Sequence, residues 1–201
     1  LNTLKHYKHA HTTAWNRLAR YLIQLTGASP GHPGYQSRLN QYFKATEDQN
    51  WEMVVGYLYP PLFDQVSRKD MIQMFDDMSG NGMELSMSGY RIKRISAPYL
   101  HESEQYAEVS YMGSMNIQFT SEAYQAPEMI GRVKGNLEAA YGNDAVTYNE
   151  TENTFTVAVD KMLYAIADEA SAQWHFIEND KQNPMIAQLV PAEVRSHFST
   201  R

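Results

Sequence analysis

Cysteine is absent from the 201-residue chain, which excludes disulfides and thiolate catalysis and leaves any metal site to histidine and carboxylate alone. The absence fits a reducing cytoplasm, the expected location, and leaves an exported form open. No apolar run approaches the roughly 18 residues that a membrane-spanning helix needs. Acidic residues are missing from the start of the chain: residues 1–38 carry Lys5, Lys8, Arg17, Arg20 and Arg38, and the first acid is Glu47. With a net charge of −6 overall, the remainder is strongly acidic. The basic residues are too sparse for a polybasic tract and the body repels phosphate, so nucleic acid is not an expected partner, nor is a membrane. A glycine-rich phosphate loop following a strand is lacking too, since Gly80-Asn81-Gly82 precedes one. Met87-Ser88-Gly89 lacks the flanking glycine and following helix of a nucleophile elbow. No cofactor is expected.

What is present is 43% hydrophobic and 20% charged, enough for one globular domain with a full core. Residues 1–38 read as an extension and linker, either a peripheral appendage or a non-native one. Trp15, Leu18, Leu22 and Leu25 are spaced for one amphipathic helix, which runs into the breakers of residues 27–34. The chain opens on Leu1, which suggests a fragment or processed form. His6, His9 and His11 have no carboxylates beside them and are not read as a metal site. Residues 39–201 form the domain. A helix is expected over 39–59, with Glu47-Asp48-Gln49-Asn50 polar or a break in its middle, stopped by Pro60-Pro61. Ser67, with Asp70 three residues on, is placed to cap a second helix whose buried face is Met71, Met74, Phe75 and Met78. Those methionines read as core filler rather than as an adaptable surface.

Residues 83–177 then alternate like long strands. Ala107, Val109, Tyr111, Met115, Ile117 and Phe119 share one parity, while Glu108, Ser110, Ser114, Asn116, Gln118 and Thr120 share the other. Side chains alternate sides of a strand, so this predicts one half-buried strand of about 15 residues, which must twist and be covered on its apolar side. A parity change at Ser88-Gly89 marks a bulge in the strand before it. A helix opens at Pro127 and closes at Gly142, further strands follow over 145–149, 155–166 and 173–177, and the tail reads as two short helices. Leading helices and hairpin-linked strands give an α+β class, with N-terminal helices packed on a strongly curved, mostly antiparallel sheet.

Tyr57-Leu58-Tyr59-Pro60-Pro61-Leu62-Phe63 and the strand Trp174-His175-Phe176-Ile177-Glu178, within this element order, resemble the nuclear transport factor 2-like (cystatin-like) fold, and in detail its uncharacterised bacterial members. The resemblance covers residues 39–198. It implies a cone-shaped cavity between helices and sheet, and often homodimerisation through the sheet's outer face. Relatives on this scaffold include ketosteroid isomerase, scytalone dehydratase, polyketide cyclases, oxygenase small subunits and many non-catalytic modules, so the fold alone does not choose a function.

Three functions therefore stay open. One is a non-catalytic module binding a small apolar ligand or a protein partner, with Tyr59, Phe63, Tyr111 and Phe119 lining the cavity. Another is an isomerase, dehydratase or cyclase with Asp64 as base and Tyr111 or Tyr57 as hydrogen-bond donor. Asp64 has a structural role open to it as well, capping backbone N–H groups after the double proline. The third is a structural domain whose cone is filled by Trp51, Phe63, Phe75 and Phe119. His175 is expected to face away from its neighbours Trp174 and Phe176. His101 belongs to a turn, His32 and His197 to the linker and tail, and no metal site emerges.

Overall fold

A computed structural model describes residues 33–80, 82–168, 173–180 and 183–199. Helix α1 (Pro33–Glu47) opens on a proline, whose missing N–H would have had no partner at that position anyway. The chain turns at Gln49, which takes a left-handed backbone with φ 54°. Asn50 then caps α2 (Trp51–Tyr57), its side-chain oxygen accepting the Met53 N–H at 3.2 Å. Of the two readings of residues 47–50 within the helical stretch 39–59, the break is the one found, and two helices flank it. Pro60 and Pro61 lead into a short 3-10 turn (Pro60–Asp64). Ser67 caps α3 (Arg68–Asp77) as expected: its hydroxyl accepts the Asp70 N–H at 3.1 Å and donates to the Asp70 carboxylate at 2.7 Å. Ser67→Ala is expected to cost about 1 kcal/mol, read as a lower urea midpoint at unchanged m.

Helix α1 begins inside the segment that the sequence reading assigns to the linker. Tyr35 is buried and packs its ring 4.6 Å from that of Trp174. Arg38 donates from Nε to the Trp174 carbonyl at 2.5 Å and lays its guanidinium over Tyr57 at 4.8 Å. The helix proposed over 13–25, and His6, His9, His11 and His32, lie outside the described residues.

Among the described residues six strands follow: β1 (Met83–Ile95), β2 (Tyr99–His101), β3 (Glu104–Phe119), β4 (Val146–Asn149), β5 (Thr154–Asp168) and β6 (Trp174–Glu178). Every pairing is antiparallel, in the order β1-β3-β5-β4, with β2 also on β3 and β6 also on β5. The sheet is open and curved, so the fold is α+β with helices packed on a curved antiparallel sheet. The register slips between Ser88 and Arg91, where Gly89 adopts φ 67°, and again between Ile92 and Arg94. The first slip is the bulge that the parity change predicts, and bulges bend a strand. Among the described residues no helix is long and apolar enough to cross a membrane.

On one face of the sheet, Val109, Tyr111, Leu163 and Phe176 pack under α1 and α2. Farther along the same strands, Met115, Ile117, Phe155 and Val157 are covered by Ile130, Val133 and Leu137 of α4 (Pro127–Tyr141). The tail helices α5 (Pro184–Leu189) and α6 (Ala192–Ser199) cover part of the opposite face, where Ile186, Val190, Val194 and Phe198 meet Tyr106, Tyr164 and Ile166. This corrects the picture of β3 as half-buried throughout. Residues 106–109 are buried on both sides, and Glu108, from the polar parity, is only 6% exposed. It survives there because Arg94 reaches its carboxylate at 3.1 Å and Asn179 lies at 3.4 Å, while Ser96 accepts its backbone N–H at 2.8 Å.

The end of α2 is tied directly to β6. Leu58 forms a parallel bridge with Phe176, and the Tyr59 N–H donates to the Phe176 carbonyl at 3.0 Å.

Candidate functional site

The helical layer does not close fully on the sheet, and a cavity of about 520 Å³ lies between them. Trp51, Val54, Leu58, Met71, Phe75 and Met78 form its helical wall, and Leu85 and Met87 of β1 extend that apolar surface. Gly113, in the middle of β3, also borders the cavity. A Cβ there would meet the Tyr90 ring at 3.1 Å and the Ser88 carbonyl oxygen at 3.3 Å. Glycine therefore lets the Tyr90 ring settle close over β3, where it stacks on Phe43 of α1 at 4.6 Å and 4°.

The two charged groups that line the cavity among the described residues stand on the sheet side. Tyr111 of β3 stands opposite Lys161 of β5, and Leu163, two residues on, stands opposite Glu178 of β6. Strand parity puts Tyr111, Lys161 and Glu178 on one face. The Tyr111 hydroxyl donates to Glu178 Oε1. Glu178 keeps some accessible surface, as a residue bordering an open cavity does, yet protein surrounds it closely. Burial raises its carboxyl above the ordinary value, against the opposing pull of the Tyr111 hydrogen bond and the Lys161 charge; Asp180 adds to the rise. The hydroxyls of Tyr42, Tyr90 and Tyr111 are all raised, first by burial and then by Glu178. They therefore remain protonated donors at neutral pH. An acid held towards its neutral form beside phenolic donors, in apolar surroundings, is equipped to hydrogen-bond a ligand oxygen or to exchange a proton with it.

Of the candidate catalytic and ligand-contacting residues read from the sequence, Tyr111 lines this cavity, and Asp64, Tyr57, Tyr59, Phe63 and Phe119 are used elsewhere. Asp64 is exposed at the end of the 3-10 turn and lies outside the lining. Tyr57 is buried and donates to Gln41 Oε1 at 3.3 Å. Tyr59 donates to both Glu104 oxygens, at 3.0 and 3.1 Å, and Tyr106 shares that carboxylate at 2.5 Å. Phe63 lies under the Arg68 guanidinium at 3.8 Å. Phe119 packs against Tyr124 at 5.5 Å, in the α4 half of the sheet. Trp51 and Phe75 border the space and pack tilted against each other at 5.0 Å rather than filling it.

The carboxylate that reaches the cavity is Glu178, not Asp64. The sequence carried a signal for it: Glu178 shares its parity with Trp174 and Phe176, both buried aromatics. His175 has the opposite parity; burial, and then the Arg38 charge, lower its pKa. His197 stacks on Tyr99 at 4.0 Å. Among the described residues no group of three His, Asp or Glu side chains converges as a metal site. Comparison with models of known protein families gives no match, and no curated protein matches the chain.

Proposed function

We propose that this protein binds a small, mostly apolar ligand in the cavity between α1–α3 and the sheet, as a module of the nuclear transport factor 2-like type. The observation that carries the reading is the cavity itself: about 520 Å³, walled mostly by apolar side chains, with a few polar groups among them. Ligand sites usually measure roughly 300–1,000 Å³ and show this ratio of apolar wall to few polar groups. A space of that size weighs against a cone filled by its own side chains. The helix and strand order, the bulged β1 and the closing β6 support the family resemblance. In keeping with the cysteine-free composition, we place the protein in the cytoplasm. Homodimerisation, which the resemblance implies, would use the part of the sheet that α5 and α6 leave uncovered.

One observation favours a second reading, in which the ligand is turned over. Glu178 is an acid displaced towards neutrality and hydrogen-bonded to a cavity tyrosine, the arrangement that isomerisation, dehydration or cyclisation needs. Binding comes first in either case. Nile red, a neutral apolar dye, is expected to bind saturably at one site per chain with a rise in fluorescence. Met74→Trp, which enlarges an exposed residue of the cavity lining, should weaken it. Dye uptake that never saturates, or that ignores the substitution, would remove the basis for a ligand site.

A further inference from the structure

Among the described residues, two charged ones line the cavity, Glu178 and Lys161, and they are placed differently. Glu178 is enclosed, whereas Lys161 is exposed and borders the same space. Lys161 makes no ion pair with any described residue. The neighbouring Lys93–Asp160 pair, with Asp160 at the opposite parity of β5, does not involve it. Opposite Lys161 stands Tyr111, and the hydroxyls of Tyr42 and Tyr90 donate to no acceptor among the described residues.

We infer that the ligand is an apolar acid, whose carboxylate head pairs with Lys161 while its body fills the space under α2 and α3. This rests on the cavity being a ligand site and goes on to name the ligand's class. The groups facing Glu178 are Tyr42 from α1, Tyr90 from β1, Tyr111 from β3, Lys161 from β5 and Asp180 just beyond β6. Apart from Asp180, which is exposed and outside the lining, every one of them is a hydrogen-bond donor or a cation. Burial raises the Glu178 carboxyl, and the Tyr111 hydroxyl and the Lys161 charge both face it, so the one acid of the lining is already partnered within the cavity wall. An incoming carboxylate thus meets the Lys161 ammonium and the unengaged hydroxyls of Tyr42 and Tyr90, and charge-assisted hydrogen bonds are the strong ones. An organic cation would meet Lys161 at close range. A neutral alcohol would make no use of it.

The test is displacement of Nile red from the intact chain by decanoate, decanol and decylamine, which share one apolar body and differ in the head. Decanoate is expected to displace the dye at about tenfold lower concentration than decanol, with decylamine weakest. Lys161→Met should bring decanoate down to the level of decanol, and Lys161→Arg should keep most of the difference. Because Lys161 is exposed, neither substitution threatens the fold. Decanol matching decanoate, decylamine binding tightest, or decanoate indifferent to Lys161→Met would each overturn the acid assignment and leave the cavity reading standing. If Nile red binds but none of the three competes, the assignment fails in the same way. If Nile red does not bind at all, both readings fall together.

Discussion

Phe176→Ala should destabilise the protein by about 3–5 kcal/mol, the usual cost of truncating a fully enclosed aromatic. Phe176 has no exposed surface, packs its ring 5.3 Å from that of Tyr42, and faces Ala165 across the sheet. Its backbone also holds Leu58 and Tyr59, so the residue joins the helical layer to β6. A void there would have little to collapse into it, because Ala165 is small. Urea denaturation would read the effect as a fall in midpoint. A second readout follows from chain position. Glu178 is two residues further along on the same face, so Nile red binding should weaken even at temperatures where the variant stays folded. A loss under about 1 kcal/mol would mean that the helices are anchored elsewhere.

The second large effect concerns pH. In the folded chain the Glu178 carboxyl is raised, chiefly by burial, while in the unfolded chain it returns to its ordinary value. Between those two values the folded state holds a proton that the unfolded state has released. Stability contributed by this group is therefore complete below the unfolded pKa and declines as pH rises through the window, levelling off above the folded pKa. Each unit of displacement is worth about 1.4 kcal/mol. Glu178→Gln keeps an acceptor for the Tyr111 hydroxyl and removes the titration. Its thermal midpoint is expected to gain steadily on the wild type from about pH 4 upwards, where an ordinary carboxyl begins to ionise. Parallel midpoint curves for the two proteins would show that Glu178 is not displaced.

Local signals carried most of the architecture. Pro60-Pro61, the Ser67 cap, the parity change before Tyr90 and the Pro127 helix start each act within a few residues, and each does locally what its chemistry requires. Less legible was what covers the second face of the sheet. Leu163-Tyr164-Ala165-Ile166-Ala167 is a continuous apolar run, and such a run on a strand means burial on both sides. Simple alternation accounts for only one of its faces, and therefore neither places the tail helices nor buries Glu108. The cavity was harder still. Asp64 is close to Tyr57 and Tyr59 in the sequence alone. Reaching a cavity depends instead on strand parity and on register across β3, β5 and β6. Register is set by pairings between residues far apart in the chain, such as Tyr111 with Lys161, and single-sequence patterns do not encode these directly.

The bridge from Leu58 and Tyr59 to Phe176 has a consequence beyond holding two layers together. β6 pairs with β5 on one side only, and its other side would otherwise offer unpaired N–H and C=O groups. Such a row is a template on which a foreign strand can grow, and the helix-end strap occupies it at Phe176. The same few atoms that seat the candidate acid thus protect this margin of the sheet from recruiting further chains.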